Sequence, residues 1–268
     1  MIKLKRKTIF LTGAGSGLGM DAALALAKRG HKVYASCLFE EEVTKLNEIA
    51  NTQNLDLEAF KLDIRLEEDR KKVEYYDFDV FISNAAIGDS GSVSEIRVDR
   101  IENVFETNVF SNIKIVQLVI KNFIYKKKGR IVFLSSLAGR ISMPFLAPYC
   151  ASKFAIESLA YSLKKEMKKL DGIKIEVAII EPGAYATGFN KENNDKKYDW
   201  MKNESYFKYK LDEIRQNETK KWNFLEKKSF NSIIKQYIRS VEDSKAKLRY
   251  TAPKLQAFFI QLERIFGK

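Results

Sequence analysis

Apolar and polar positions near the start of the chain alternate in a strand–turn–helix–strand order. The apolar run at residues 8–11 predicts a buried strand, and residues 32–37 predict the next one. Between them, residues 21–29 are rich in alanine and leucine, which predicts a helix that Gly30 ends. A glycine-rich turn at residues 12–19 joins the first strand to this helix. The pattern is typical of a nucleotide-binding unit.

The glycine-rich turn has a spacing of its own. Its pattern is Thr-Gly-x-x-x-Gly-x-Gly, and no register fits Gly-x-Gly-x-x-Gly. Glycines there allow a tight turn and a close approach of the backbone to a pyrophosphate, which a helix N-terminus favours. Its position between a strand and a helix makes a nucleotide site more convincing than a glycine cluster alone. The residues of this turn that we expect to contact a cofactor are Thr12, Gly13, Ser16, Gly17, Leu18 and Gly19.

Candidate chemistry lies in the middle of the chain, at Ser136, Tyr149 and Lys153. A tyrosine four residues before a lysine puts both side chains on one helical face. An ammonium held there favours the phenolate and lowers the tyrosine pKa from about 10. The Ser136 hydroxyl can hold a carbonyl or alcohol oxygen beside the phenol. Such a tyrosine transfers a proton at an oxygen while a hydride moves elsewhere.

The Tyr-x-x-x-Lys spacing by itself is not specific, because four more pairs occur. Only Tyr149 has a serine thirteen residues upstream, and that serine ends an apolar run typical of a strand. We expect the other four to lie on solvated helical faces. They are Tyr161/Lys165, Tyr198/Lys202, Tyr206/Lys210 and Tyr250/Lys254.

Together these motifs resemble those of the short-chain dehydrogenase/reductase family, in its single-domain branch. The resemblance covers roughly residues 7–190, with the motifs in the family's order. Asp63 and Ile64 resemble the strand end whose aspartate contacts adenine. Asn84 and Ala85 lie where the family usually has Asn-Asn-Ala-Gly, although Ser83 and Ala86 depart from that pattern. Both substitutes are small, so we expect little effect on cofactor binding.

Two further segments match family motifs. Asn108 matches the helix asparagine that completes a catalytic tetrad with Ser136, Tyr149 and Lys153. The second segment matches the Pro-Gly-x-x-x-Thr motif whose threonine holds the nicotinamide amide, at Pro182, Gly183 and Thr187. The interval between Asp63 and Asn84 is short for a helix and a strand, so that helix is expected to be truncated.

The resemblance implies a fold and an activity. The fold is α/β, a Rossmann-type doubly wound parallel sheet, with residues 1–268 as one domain. The activity is hydride transfer between a nicotinamide and a carbonyl or secondary alcohol, with Tyr149 as general acid or base. The resemblance also makes Tyr149 and Lys153 cofactor contacts, Lys153 through the nicotinamide ribose, and gives Asn108 a water relay to Lys153. A non-catalytic dinucleotide-binding regulator and a cofactor-assisted epimerase or dehydratase remain as alternatives.

The end of the second strand bears on the choice between NAD and NADP. Cys37 and Leu38 occupy it, so neither an acidic residue for a ribose hydroxyl nor an arginine for a 2′-phosphate is present. The acidic run at residues 40–42 would repel a phosphate if it faces one, or it caps a helix. We favour NAD and leave NADP open. Residues 36–38 loosely resemble those of retinol and hydroxysteroid dehydrogenases.

The segment at residues 188–228 is charged and aromatic, and the resemblance makes it the lid over the substrate. With residues 143–146 as the opposite wall, it predicts an apolar or aromatic-lined pocket for a small carbonyl or alcohol substrate. Aromatic packing within a surface helix pair is the alternative. The aromatic residues are Phe189, Tyr198, Trp200, Tyr206, Phe207, Tyr209, Trp222 and Phe224.

The last residues, 253–266, predict an amphipathic helix. We expect its apolar face to dock on its own domain or on a neighbouring subunit, with a membrane surface as the alternative. By resemblance, the protein is a homodimer or homotetramer through helices near residues 103–125 and 150–170.

Charge and composition narrow the picture further. The net charge is +12, from 47 Lys+Arg against 35 Asp+Glu. An anionic partner, such as nucleic acid, a membrane or an anionic substrate, is one interpretation. A lysine-rich bias with solvated faces is the favoured one, because basic runs such as residues 126–128 fall at predicted helix ends and no nucleic-acid motif accompanies them.

Rare residue types exclude several kinds of site. Cys37 and Cys150 do not suggest a disulfide framework. His31, the only histidine, is expected in a surface turn, which excludes histidine catalysis and a histidine metal site. Residues 1–7 are basic, but the apolar run after them is short and predicts a strand rather than a signal peptide. With no stretch long enough to cross a bilayer, we expect a cytoplasmic protein.

Overall fold

A seven-stranded parallel sheet forms the centre of the computed structural model, which describes residues 5–267. Residues 1–4 of the basic start lie outside the described part. The strand order is β3-β2-β1-β4-β5-β6-β7, and every neighbouring pair is parallel. The strands are β1 (Thr8–Thr12), β2 (Lys32–Cys37), β3 (Leu57–Lys61), β4 (Val80–Ser83), β5 (Lys128–Leu134), β6 (Lys174–Pro182) and β7 (Arg249–Ala252).

Helices cover both faces of the sheet, so the predicted doubly wound α/β fold is confirmed. The helix after the glycine turn begins at Gly17, four residues before the expected start, because the turn itself supplies its first residues. The helices are α1 (Gly17–Lys28), α2 (Glu40–Thr52), α3 (Glu67–Lys71), α4 (Val98–Phe105), α5 (Asn112–Tyr125), α6 (Ala147–Met167), α7 (Phe189–Glu204), α8 (Leu211–Leu225), α9 (Asn231–Glu242) and α10 (Lys254–Phe266).

Alternation along the buried strands divides the core into two layers. In β1, Ile9 and Leu11 pack on the side of α1 and α9, whereas Phe10 packs on the opposite side. The second layer is rich in aromatic rings, and Phe10 contacts Phe81 at a ring-centroid distance of 5.7 Å. Because packed side chains cover both faces of the sheet, the register of each strand is fixed, and so is the position of each strand end.

The chain reverses its direction of travel across the sheet between β1 and β4, which lie side by side. The register places Leu11 opposite Ile82, so the glycine turn after β1 and the loop after β4 meet at the carboxyl edge. In open α/β sheets this switch point is where ligands bind. The fold therefore places the cofactor motif and the Asn84 motif together.

The helix between β3 and β4 is truncated, as its short interval predicts. Helix α3 has only five residues and continues into a single 3₁₀ turn at Lys72–Tyr75. That turn leads directly to β4.

His31 does not lie in a surface turn, so that expectation is wrong. Its imidazole is fully buried at the start of β2. The Lys7 backbone N–H donates to Nδ1 at 3.2 Å, and Nε2 lies 3.2 Å from the Glu242 carboxylate. Burial lowers the His31 pKa, against the opposing pull of Glu242. The histidine ties the beginning of the sheet to the end of α9, a contact that the local sequence does not reveal.

The expectation of solvated faces is also wrong for two of the four other Tyr-x-x-x-Lys pairs. Tyr198 is buried within α7, and its hydroxyl donates to Glu218 at 2.8 Å. Tyr250 is buried in β7, so this pair does not lie on a helical face. Tyr161 is exposed on α6, as expected; Tyr206 is exposed too, but it lies in a turn before the 3₁₀ segment Lys208–Lys210 and not on a helical face.

Helix α10 does not dock its apolar face on its own domain, which corrects one of the expectations for it. Leu255, Phe258, Ile265 and Phe266 are all exposed. No helix among residues 5–267 is both long and apolar enough to span a membrane.

Candidate active site

One cavity of about 1120 Å³ opens at the carboxyl edge of the sheet. It is lined by the glycine turn, by the ends of β3 to β6, and by parts of α6, α7, α8 and α10. The sequence-predicted residues that line it are Gly13, Ser16, Gly17, Leu18, Gly19, Leu38, Asp63, Ile64, Asn84, Ala85, Ser136, Tyr149, Lys153, Pro182, Gly183 and Thr187. Thr12, Cys37 and Asn108 do not line it.

The glycine turn depends on its glycines for conformation and for space. Gly13 and Gly17 have φ of +68° and +53°, a region that other L-residues rarely adopt. Gly19 packs against the Gly13 carbonyl so closely that a Cβ would not fit. The turn presents the N-terminus of α1 to the cavity, with no acidic residue in the first helical turn. A pyrophosphate fits this cradle electrostatically and sterically.

Thr12 acts behind the cavity wall rather than in it. Its hydroxyl oxygen accepts from the Asn84 and Ala85 backbone N–H groups at 3.0 and 3.2 Å. The Asn84 side chain in turn donates to the Gly13 carbonyl at 2.9 Å. These bonds fasten the loop after β4 to the glycine turn.

Sequence reasoning missed the partner that holds Asn84. Tyr237 of α9 is fully buried, and its hydroxyl donates to the Asn84 Oδ1 at 2.7 Å. Asn84 is therefore held on both sides, by Tyr237 and by the Gly13 carbonyl. Because Tyr237 is far away in the chain and in no motif, only the tertiary structure shows this contact.

The end of the cavity where the adenosine is expected is lined by Leu38, Phe39, Asp63 and Arg65. Arg65 donates to the Asp63 carboxylate at 2.7 Å, and this bond holds the Asp63 pKa below its ordinary value. Cys37, which was expected to contact the cofactor, is fully buried below this end of the cavity, and burial raises its pKa to about 12. An un-ionised thiol within the core is a packing group.

Glu42 points back into this end of the cavity. Its carboxylate accepts from the Leu38 and Phe39 N–H groups at 3.2 and 3.3 Å, which caps α2. The same carboxylate packs against Gly15 in the glycine turn, where a Cβ would not fit. Glu42 therefore fits both interpretations of the acidic run, because its carboxylate caps α2 and also faces the cavity.

Ser136, Tyr149 and Lys153 converge on the cavity floor. Ser136 follows the end of β5, and its hydroxyl donates to the Pro182 carbonyl at 3.4 Å. The same hydroxyl lies close enough to Tyr149 to affect the pKa of its phenol. The Lys153 ammonium lies 5.5 Å from the centre of the Tyr149 ring and donates to the Leu134 carbonyl at 3.0 Å. Phenol, ammonium and hydroxyl thus share one site.

The pKa of Tyr149 departs from its expected direction. Burial raises it above the ordinary value, and the neighbouring Ser136 hydroxyl only partly opposes that rise in pKa. Burial also lowers the Lys153 pKa to about 8, against the opposing effect of Glu157. Desolvation is the largest cause of both pKa shifts, and the Phe189 ring, centred 5.6 Å from that of Tyr149, packs beside the phenol. Tyr149 is therefore a protonated phenol at neutral pH in this state.

Asn108 lies in a π-helical segment, Glu106–Ser111, between α4 and α5. Such bulges are frequent at functional sites. Its side-chain amide pairs with the Ile87 backbone through two bonds of 2.8 Å and donates to the Ser152 hydroxyl at 3.0 Å. Asn108 thus contacts the helix of Tyr149 and Lys153 without a hydrogen bond to either side chain. The water relay stays a prediction.

A cluster of buried charges lies behind the catalytic helix and was not predicted. Glu157, one turn after Lys153, accepts from Arg249 of β7 at 2.8 Å. Fully buried Glu181 accepts from the Arg140 Nε at 2.6 Å and lies 3.4 Å from Arg249. Burial and the neighbouring Glu181 raise the Glu157 pKa. The cluster fixes α6 to β6 and β7 at the level of Lys153.

The substrate end has an apolar wall, but fewer aromatic residues reach it than expected. Of the eight aromatic residues predicted for the lid segment 188–228, only Phe189, Trp222 and Phe224 line the cavity. Tyr198, Trp200 and Phe207 pack in a separate cluster with Phe145, and Tyr206 and Tyr209 are exposed. Three of the aromatic residues thus line the cavity, and three others pack among themselves. Of residues 143–146, Met143, Pro144 and Leu146 line the cavity and Phe145 does not.

Comparisons with known proteins agree with this geometry. A family model described as short chain dehydrogenase matches residues 7–198. A Helicobacter pylori protein named "Probable short-chain type dehydrogenase/reductase VdlC" is 34% identical over 70% of this chain and 69% of its own. An NADPH-dependent pterin aldehyde reductase of Arabidopsis thaliana is 34% identical over 68% of this chain and 76% of its own.

A solved structure shares the fold along nearly the whole chain. It is a short-chain dehydrogenase/reductase from Burkholderia phymatum in complex with NAD, with a TM-score of 0.82 and 18% identity. The match covers 99% of this chain and 95% of the other. These relatives do not support the regulatory or the epimerase and dehydratase alternatives. The chain belongs to the short-chain dehydrogenase family and is an NAD(P)-dependent oxidoreductase acting on carbonyl or CH–OH groups.

Proposed function

We propose that the protein transfers a hydride between NAD and an apolar carbonyl or secondary alcohol, with Tyr149 as the proton donor or acceptor. The observation that carries this proposal is that Ser136, Tyr149 and Lys153 line the same cavity as the glycine turn, with the Lys153 ammonium 5.5 Å from the centre of the Tyr149 ring. Proton-transfer groups and a dinucleotide cradle in one cavity are what coupled proton and hydride transfer requires.

In the reducing direction the Tyr149 Oη gives its proton to the substrate oxygen. The carbonyl π electrons become the new O–H bond while a hydride forms a C–H bond at the carbonyl carbon. The raised pKa of Tyr149 keeps the phenol protonated for this step. Ser136 holds the substrate oxygen, and the Lys153 ammonium stabilises the resulting phenolate. In oxidation the same phenolate takes the alcohol proton.

The cofactor would be held by residues along the cavity. When bound, its nicotinamide ring supplies or accepts the hydride. The glycine turn and the N-terminus of α1 would hold the pyrophosphate, and Lys153 the nicotinamide ribose. Pro182, Gly183 and Thr187 line the same end of the cavity and would hold the nicotinamide amide.

Glu42 supports NAD over NADP. Its carboxylate faces the groove beside Gly15, near the adenosine end, where a 2′-phosphate would add negative charge. Arg65, the nearest cation lining that end, is already paired with Asp63. The negative charge of the Glu42 carboxylate therefore disfavours binding of the 2′-phosphate of NADP.

An apolar substrate is supported by the walls of the cavity. Met143, Leu146 and Trp222 of α8 belong to one apolar cluster that lines the cavity, Phe224 lines it too, and the Phe189 ring of α7 packs beside that of Tyr149. We therefore keep residues 188–228 as the substrate lid. We also propose that the protein is cytoplasmic, which its two free buried cysteines support. We further propose a homodimer or homotetramer, which the exposed apolar residues Phe110, Phe154 and Leu159 support.

Cofactor turnover with a carbonyl panel tests the proposal. The purified protein receives NADH or NADPH with a steroid ketone, a retinoid aldehyde, an acyl thioester or a short ketone, and the absorbance of the reduced cofactor is followed. We expect kcat/KM for the apolar carbonyls to exceed that for the short ketone by at least about tenfold. Cofactor binding without oxidation by any carbonyl contradicts the proposal. Substrate conversion without net cofactor change does so too and indicates an epimerase or a dehydratase.

A further inference from the structure

Helix α10 presents a continuous apolar stripe to solvent. Its members recur at helical spacing, and no charged residue interrupts them: Leu255 (66% exposed), Phe258 (58%), Phe259 (59%), Leu262, Ile265 (63%) and Phe266 (70%). The three phenylalanines alone leave on the order of 400 Å² of apolar surface in water. Patches of that size on soluble proteins mark interaction sites.

The opposite side of α10 is fixed to the protein, so the stripe cannot turn inward. Gln256 donates to the Leu225 carbonyl at 2.7 Å and accepts from the Ala184 N–H at 3.0 Å. Gln261 accepts from Arg140 at 3.4 Å. The helix is therefore held with its apolar face outward, and nothing within residues 5–267 covers that face.

The stripe adjoins the mouth of the cavity. Phe259 and Ile260 of α10 line the cavity together with Phe224 of α8, which is 85% exposed. The apolar stripe thus reaches the cavity lining at Phe259.

The charges that flank the stripe decide what would cover it. Exposed cationic side chains lie on α10, at the end of α8, which contacts α10 through Leu225 and Gln256, and in the following loop: Lys221, Lys227, Lys228, Lys254 and Arg264. Glu263 is the one acidic residue of α10, and it lines the cavity. With a net charge of +12, a second copy seated symmetrically on this face would bring cations against cations.

We propose that this face of α10, with Phe224, docks on an anionic phospholipid bilayer, and that the substrate enters the cavity from the lipid. Phenylalanine and leucine on one helix face with a basic surround is the composition of helices that lie in the membrane interface. The basic residues add attraction to anionic headgroups, which salt weakens. The second part rests on the proposed apolar substrate; the docking itself does not.

Vesicle co-sedimentation of the full chain tests the docking. The vesicles contain equal parts of phosphatidylcholine and phosphatidylglycerol, or phosphatidylcholine alone. We expect binding to the anionic vesicles that salt weakens, and at least about tenfold weaker binding by Phe258→Glu/Ile265→Glu. Neither of these residues lines the cavity, so turnover of a short soluble carbonyl without vesicles should stay at the wild-type level. Tyr75→Glu/Tyr125→Glu replaces two other exposed rings with charges; it is the matched control and should bind like wild type.

Three results would overturn the docking. One is wild-type protein that does not sediment with anionic vesicles, and another is equal binding by the Phe258/Ile265 variant. A third is a dimer, measured by light scattering, that only this variant dissociates, because a second copy then covers the face. Turnover of the soluble carbonyl is measured separately, so loss of the proposed catalysis is distinguished from loss of docking.

Discussion

Lys153 in its charged ammonium form, the form used in the proposed reaction, lowers the stability of the folded protein. Its pKa in the folded chain is about 8, against an ordinary value of 10.5, because its ammonium is buried. Between those two pH values the unfolded chain binds more protons, so the free energy of unfolding rises with pH. Below pH 8 both states are mostly protonated and the full cost remains.

Replacement of Lys153 by methionine should remove this pH dependence. We expect wild-type stability, relative to Lys153→Met, to rise by about 2 kcal/mol between pH 7 and pH 10. Urea unfolding at several pH values measures the difference. The variant should be more stable than wild type at pH 7 and inactive. A difference that is flat across this range contradicts a buried ammonium of lowered pKa.

Glu42→Gln tests the origin of cofactor preference. The neutral amide can still accept from the Leu38 and Phe39 N–H groups, so α2 stays capped while the charge is lost. We expect the Kd for NADPH to fall by about tenfold and that for NADH to change little. Fluorescence titration with both cofactors measures this. Glu41→Gln, an exposed neighbour, is the control, and equal effects of both variants would exclude a specific role for Glu42.

At the scale of elements, α9 holds the glycine turn in place through Asn84, in the loop after β4. Tyr237 bonds Asn84, and Asn84 bonds the Gly13 carbonyl. Loss of the Tyr237 hydroxyl would leave a buried amide oxygen without its donor, at a cost of about 1–3 kcal/mol. It would also free Asn84 to shift, which loosens the turn.

Tyr237→Phe should therefore weaken NADH binding by about three- to tenfold and leave kcat near wild type. The control is Tyr250→Phe, which removes another buried hydroxyl, bonded to Asp243 at 3.1 Å and remote from the turn. Both variants should lose about 1–2 kcal/mol of stability. Titration calorimetry and urea unfolding separate the two effects. Equal NADH affinity in the two variants would reduce Tyr237 to a structural role.

Elements whose sequence determinants are local could be predicted, and those set by tertiary contacts could not. The glycine turn, Ser136 and the Tyr149–Lys153 pair lie in short segments with fixed spacing, so their placement in one cavity follows from the parallel sheet. The burial of His31 and the Tyr237–Asn84 bond join residues far apart in sequence. The raised pKa of Tyr149 was missed because burial beside Phe189 depends on how α7 packs.

At the scale of the whole molecule, the exposed apolar residues include two groups that lie on separate elements. One is the stripe on α10, and the other lies on the π-helical segment and α6, where Phe110, Phe154 and Leu159 are exposed. The second group coincides with the region where family resemblance predicts subunit contact. We propose docking for the first group and assembly for the second.

Leu159→Glu should therefore dissociate the proposed oligomer. We expect a dimer or tetramer for wild type and a monomer for the variant, because a charge at the centre of an apolar contact is desolvated without a partner. Light scattering coupled to gel filtration measures the mass. Phe258→Glu/Ile265→Glu should keep the wild-type mass. A monomeric wild-type protein would contradict the proposed assembly.

The central claim, proton transfer by Tyr149 coupled to hydride transfer, is tested most directly by Tyr149→Phe beside Tyr161→Phe. Both tyrosines lie on α6 four residues before a lysine, but only Tyr149 lines the cavity together with Ser136. For Tyr149→Phe we predict a kcat lowered by about 10²- to 10⁴-fold, with the Kd for NADH within about twofold of wild type. Tyr161→Phe should match wild type in both. A Tyr149→Phe enzyme that keeps more than about a tenth of the wild-type kcat would contradict the account.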